Sequence, residues 1–236
     1  MEKKYNWYYI DIVFVIDTTE SMALKKEQVK KLVLSFDGVL KSEMQEHGMP
    51  MERLRTRVIE FGDYASSGLN TVRSTDFFVM NNDRQKFEDA VNGIKFNIPC
   101  GSASNALEAL YTAMGSDWSA VENPNKGRHI IVLISDKYPL HLHERADCIG
   151  YPEDIFANLE EMENEWSVWK LDESKFKLSP HKKRLIMFVP DGQDTAKHTW
   201  ENVMNWVHTV TWVLSPENGL PDTPTIDILN EIIREI

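Results

Sequence analysis

Two kinds of hydrophobic pattern alternate along the chain. Tyr9 to Ile16 (YIDIVFVI) is apolar at nearly every position and reads as a strand covered on both faces. Val29, Leu32, Val33, Phe36 and Leu40 then return at three- and four-residue intervals, the stripe of a long helix. Arg57 to Phe61 reads as a second strand, stopped by Gly62-Asp63, and Asp76 to Met80 as a third at an edge. Phe87, Val91 and Ile94 stripe a short helix. Leu107, Leu110, Tyr111 and Met114 stripe another, after Pro99-Cys100-Gly101.

His129 to Ser135 (HIIVLIS) is apolar enough to sit between two layers, and it ends at Asp136. A helix is predicted around Pro152 to Trp169, with Leu159, Met162, Trp166 and Trp169 on one side. Leu185 to Val189 is a strand, Thr195 to Trp206 a helix and Val210 to Leu214 the last strand. Beyond Pro216 the stretch PENGLPDTPT leads into Ile226, Leu229, Ile232, Ile233 and Ile236, a C-terminal helix over about 224–236 that packs on the same body. Strand and helix alternate throughout. That order predicts an α/β fold: one doubly wound, mostly parallel sheet with helices on both faces, spanning 1–236 as a single domain.

Ligands of such sheets gather at the carboxyl ends of the strands, where the strand order reverses. The polar residues that follow the two most apolar strands therefore carry the interest. Asp17, Thr19 and Ser21 form D-x-T-x-S directly after the first strand. The turn GSASNALEAL, residues 101–110, sets Ser104 at the mouth of a helix. Asp136 follows the buried strand 129–135. If those two strands are neighbours, two carboxylates and three hydroxyls converge. An all-oxygen set of this kind suits a hard dication, Mg²⁺ or Mn²⁺, with Ca²⁺ less favoured. Neutral hydroxyl ligands leave such an ion electrophilic, with a position open to an outside carboxylate. The plainer reading of the first motif alone is a helix cap by Thr19 or Ser21.

These three segments, IDIVFVIDTTESM, GSASNALEAL and IIVLISD, resemble the von Willebrand factor type A (vWA) family and its metal-ion-dependent adhesion site. The resemblance runs from about residue 8 to 215 and implies a Rossmann-like fold. It implies Asp17, Thr19, Ser21, Ser104 and Asp136 as metal ligands and a partner protein that supplies an acidic residue. RVIEFGDY at 57–64 and TDFF at 75–78 look similar to the bacterial intracellular branch, including proteins of tellurium-resistance clusters. That likeness implies a scaffold or regulator in a stress-response or defence setting. The chain departs from the family at Thr19 and Ser104, which exchange one hydroxyl residue for another. Glu20 stands where glycine is common, and Lys137-Tyr138 follow Asp136; either Glu20 or Lys137 would disturb the site by folding inward.

Other polar groups have simpler readings. Asp63 is expected as a turn aspartate, and Asp191 and Asp194 as turn and cap residues. His141, His143 and Cys148 lie close in sequence, yet no fourth zinc ligand is evident. Trp166, Trp169, Trp200 and Trp206 fall on or near core stripes.

Composition narrows the function further. In 236 residues, 42% hydrophobic content supports a sizeable core, and a net charge of −11 with scattered Lys and Arg argues against nucleic acid as partner. The run after MEKKYNWYY is too short, and too broken by Asp11, for a membrane span or signal peptide. Two cysteines without metal spacing fit a reducing, cytoplasmic setting. A phosphate-binding glycine loop, a nucleophile elbow and a motif-fixed general base are all absent from the sequence. The expected function is therefore metal-dependent protein binding without catalysis. A Mg²⁺- or Mn²⁺-dependent phosphoryl-transfer enzyme and a metal-free scaffold are the alternatives. Oligomeric state and partner identity are not encoded in any feature of the sequence.

Overall fold

The computed structural model describes residues 7–120, 126–178, 182–191, 199–214 and 219–220. In chain order the elements are β1 (Tyr8–Asp17), α1 (Lys26–Glu46), β2 (Met51–Phe61), α2 (Tyr64–Ser67), β3 (Arg73–Ser74), β4 (Phe78–Val79) and α3 (Met80–Gly93). There follow β5 (Ala103–Ser104), α4 (Ala106–Met114), β6 (Gly127–Ile134), β7 (Tyr138–Pro139), α5 (Leu159–Ser167), β8 (Lys183–Val189), α6 (Glu201–Met204) and β9 (Thr209–Val213). The main sheet has the order β3-β2-β1-β6-β8-β9, with β4 also pairing with β2. Strands β2, β1, β6, β8 and β9 are parallel, while β3 and β4 run antiparallel along β2. This is the doubly wound, Rossmann-like arrangement that the vWA resemblance implies.

Alternation along the central strands divides the core in two. On β1, Ile10, Ile12, Phe14 and Ile16 face α1 and α3, whereas Val13 and Val15 face α4 and α5. Strand β6 splits the same way, with Ile130, Val132 and Ile134 against Ile131 and Leu133. Phe14 meets Phe36 of α1 edge to face at 5.6 Å, so a Phe36→Ala change would empty a fully enclosed site at a cost of about 3–5 kcal/mol. The stripe of α1 is buried as its spacing predicts and extends to Met44. The helix stops where Gly48 turns to a φ of +69°, a conformation that costs glycine little.

Strand β2 is longer than its apolar half, residues 57–61. Its first half is hidden from a hydrophobicity scan because only Leu54 and Thr56 are buried there. Arg53, Arg55 and Arg57 line the other side, where they bond Ser119, Asp11 and Ser116. The predicted edge strand 76–80 shrinks to Phe78–Val79, because Met80 already opens α3 and Asp83 accepts the Val79 N–H. The helix expected from Pro152 begins only at Leu159, where the Asn158 side chain accepts the Glu161 N–H at 2.9 Å. Trp169 lies past its end and is 56% exposed, against the core position expected for it; Trp166, Trp200 and Trp206 are buried. Of the predicted helix 195–206, Glu201–Met204 is helical, and the part before residue 199 lies outside the described residues. The C-terminal helix at 224–236 also lies outside them.

The order of the strands positions the functional rim. The chain leaves β1 for β2 on one side and later returns to β6 on the other. The order therefore reverses between β1 and β6, and the carboxyl ends of these two strands form the rim at which Asp17 and Asp136 emerge.

Candidate metal centre

The loop after β1 is held from both flanks. Thr18 donates through its N–H and its hydroxyl to the Phe61 carbonyl, each at 2.9 Å. On the other side Thr18 and Glu20 exchange backbone bonds with Ile98, which makes a short parallel bridge at Thr19. Gly62 permits this closure: a Cβ there would lie 2.7 Å from the Ile98 side chain. Clamped in this way, residues Glu20–Lys25 wind into a 3₁₀ turn that leads into α1. The Ser104 turn is fixed to the same loop cluster. Asn105 donates its N–H to the Gly62 carbonyl and accepts the Tyr64 N–H through its side chain.

The five residues expected as ligands come together at this rim. Asp17 is fully buried; its Oδ1 accepts the Thr19 N–H at 2.9 Å, and its Oδ2 faces the hydroxyls of Ser135 at 2.6 Å and Ser104 at 3.4 Å. The hydroxyls of Thr19 and Ser21 are 3.1 Å apart, and Ser21 Oγ donates to Asp136 Oδ1 at 2.6 Å. One connected set of oxygens thus links β1, the Ser104 turn and the end of β6.

Burial raises the Asp17 carboxyl to about 6. Hydrogen bonds from Ser135 and Thr19 oppose that rise, and the nearby Asp136 charge adds to it. Among the described residues no ammonium or guanidinium pairs with Asp17. A buried carboxylate surrounded by neutral hydroxyls and lacking a counter-charge is a fitting seat for a small hard cation. The donor set fits Mg²⁺ or Mn²⁺ on these grounds.

Two features are not legible in the sequence. Ser135, the last residue of the apolar run, reads there only as part of the strand, yet it sends its hydroxyl to Asp17. Lys25 belongs to no motif, yet its Nζ lies 2.9 Å from Asp136 Oδ2 with both side chains 10% exposed. Both residues that the sequence marks as disruptive engage the rim through their backbone. Glu20 is exposed and engages the loop through its backbone N–H. Lys137 fixes the rim through its backbone, its N–H donating to Ser135 Oγ and its carbonyl accepting from Trp200 Nε1. A cavity of about 290 Å³ opens beside Asp136, among Lys25, Ser102, Lys137 and Tyr138.

The surrounding polar groups have structural partners. Asp63 caps α2 by accepting the Ala65 N–H and pairs with Arg145 at 2.9 Å, the turn role expected of it. His143 contacts the Phe156 carbonyl through its ring and Tyr151 through its backbone N–H. Among the described residues, no three His, Cys, Asp or Glu side chains gather in a group that could hold a metal. The Cys100 thiol donates to the Ala103 carbonyl, and burial pushes it up to about 12, with Asp17 and Asp63 adding to the rise. It stays protonated at neutral pH. Asp191 accepts the Tyr138 hydroxyl on its carbonyl, and Asp194 lies outside the described residues.

No protein-family model and no curated protein matches the chain. Solved structures do. The pilus adhesin SpaC from Lactobacillus rhamnosus GG superposes with a TM-score of 0.53 at 13% identity, over 97% of this chain and 30% of that one. What the two share is the fold. The vWF domain of the type V pili tip protein Mfa5 from Porphyromonas gingivalis is also similar, with a TM-score of 0.37 and 20% identity over 57% of this chain and 40% of that one. The match thus covers less than half of either structure. Among the described residues no helix is long and apolar enough to cross a membrane.

Proposed function

We propose that the chain is a vWA-type interaction module that binds an acidic residue of a partner protein through a divalent cation, Mg²⁺ or Mn²⁺. One observation carries this reading: oxygens of Asp17, Thr19, Ser21, Ser104 and Asp136, from three distant segments, meet at the reversal point of the sheet. Asp17 and Asp136 would hold the ion by charge, and the three hydroxyls would complete its protein shell. The ion itself would supply a Lewis-acidic position for the partner's carboxylate. The bonding of nearby titratable groups supports binding over catalysis. Asp63, His143 and Cys100 are each engaged in a structural bond, and none is poised at the rim as a general base.

The resemblance of 57–64 and 75–78 to intracellular bacterial relatives supports a cytoplasmic scaffold or regulator within a stress-response or defence gene cluster. The test is capture of partners from the native host by tagged wild-type chain, in Mg²⁺ and in chelator, beside an Asp17→Ala variant. A partner retained in Mg²⁺ and lost in the other two arms is the expected result. Equal retention in all three overturns the proposal, as does metal-dependent phosphatase turnover that disappears in Asp17→Asn.

A further inference from the structure

We propose that Lys25 is a built-in rival for the cation, an ammonium that occupies Asp136 when no metal is bound and must be displaced for one to enter. The inference rests on the metal-binding reading above and concerns a residue outside the five expected ligands. Both oxygens of Asp136 are engaged, Oδ1 by the Ser21 hydroxyl at 2.6 Å and Oδ2 by Lys25 at 2.9 Å. The pair is nearly closed to solvent, each side chain being 10% exposed, so water screens it far less than a surface ion pair. Asp17 has hydroxyl and N–H donors but no such ammonium among the described residues. The competition is thus confined to the Asp136 half of the site.

Lys25 and Ser21 belong to the same 3₁₀ turn, Glu20–Lys25, so the ammonium and a ligand hydroxyl sit on one short element. A dication coordinated by Asp136 would repel an ammonium held so close to the same carboxylate. The cavity of about 290 Å³ that Lys25 itself lines, with Ser102 and Tyr138 on its wall, gives the displaced side chain somewhere to go. Before a metal enters, Lys25 thus supplies the charge that neutralises Asp136. Metal affinity is lower than the oxygen set alone would give, and the freed ammonium stands beside the position where a partner's acid would bind.

Calorimetric titration of the full chain with MnCl₂ tests this, using wild type, Lys25→Met and Lys25→Arg. Lys25→Met should bind Mn²⁺ at least about tenfold more tightly than wild type, a change of ~1.4 kcal/mol. Lys25→Arg keeps the charge and should stay within about threefold of wild type. Equal affinity of wild type and Lys25→Met overturns the inference and leaves metal binding intact. Absence of Mn²⁺ binding by every form at about 10 mM overturns the metal reading and this inference with it. Should Lys25→Met fail to fold, NMR of ¹³C-lysine-labelled wild type decides the matter. The Lys25 Cε resonance should move as Mg²⁺ saturates the site, and a resonance that stays in place while Mg²⁺ binds overturns the proposal.

Discussion

Ser135 Oγ donates to Asp17 Oδ2 at 2.6 Å, which joins the last residue of one central strand's apolar run to the terminal acid of its neighbour. The hydroxyl also accepts the Lys137 N–H at 3.0 Å, so it ties the Asp17 carboxylate to the loop that follows Asp136. Ser135→Ala removes the shorter of the two hydroxyl bonds to a fully buried carboxylate. A loss of about 1–3 kcal/mol is expected, readable as a lower urea midpoint with an unchanged slope. An unchanged midpoint would show that Thr19 and Ser104 satisfy Asp17 without it.

Asp17→Asn separates the charge at the site from its shape. In chelator, wild type buries a carboxylate with no ammonium beside it among the described residues, whereas asparagine buries no charge. The variant should therefore melt no lower than wild type without metal. Millimolar Mg²⁺ or Mn²⁺ should raise the melting temperature of wild type by mass action and leave the variant where it was. Thermal melts of both proteins in chelator and in metal check this. Equal upward shifts in the two would place the ion elsewhere.

The sequence exposes those parts of the fold where a whole strand or helix face is buried. Strands β1 and β6 read as continuous apolar runs because helices cover both their faces, and the α1 stripe is legible because only one side of the helix is wet. The first half of β2 is illegible because Arg53, Arg55 and Arg57 occupy one of its faces, and their partners Asp11, Ser116 and Ser119 are distant in sequence. The five oxygens at the rim are legible by motif, since each follows directly from a strand end or a turn. Lys25 is not. Its role depends on the 3₁₀ winding of Glu20–Lys25, which swings a residue of apparently ordinary helix spacing back over the sheet edge.

Gly62 offers a test of how the rim is assembled, at a position outside the ligand set. A methyl group there would approach Ile98 side-chain carbons to 2.7 Å, and Ile98 is the residue that bridges Thr19 and binds Glu20 through its carbonyl. Gly62→Ala should cost about 1–3 kcal/mol through overpacking and weaken metal binding by displacing Thr19. Gly62→Ala with Ile98→Val removes one of the two clashing methyl carbons and should recover part of both losses. Calorimetry and urea melts of the single and double variants read the two effects separately. Full metal affinity in Gly62→Ala would show that the loop holds its shape without this close approach.

His129 gives the fold a dependence on pH remote from the metal site. Its ring stacks on Trp118 at 4.9 Å, lies near the Ser119 carbonyl, and is flanked by Asp11 of β1 and Arg55 of β2. Burial lowers it from 6.5 to about 4; the Asp11 charge resists the shift and the Arg55 charge assists it. The folded chain therefore holds the ring neutral where the unfolded chain already binds a proton. Stability is unaffected by this group above about pH 7 and declines as pH falls from about 6.5 towards 4. The loss levels off below that value at about 3 kcal/mol. Asp11 is held below its ordinary range by Arg55 and the Ser119 N–H against the cost of burial, so its own contribution is lost only at still lower pH. Replacing His129 by phenylalanine keeps the ring against Trp118 and removes the titration. Asp17, raised to about 6, acts in the opposite sense over the same range in both proteins, so the readout is their difference. In urea denaturation from about pH 7.5 to about pH 4.5, wild type should lose stability relative to His129→Phe as pH falls, and parallel curves for the two would assign the acid sensitivity to other groups.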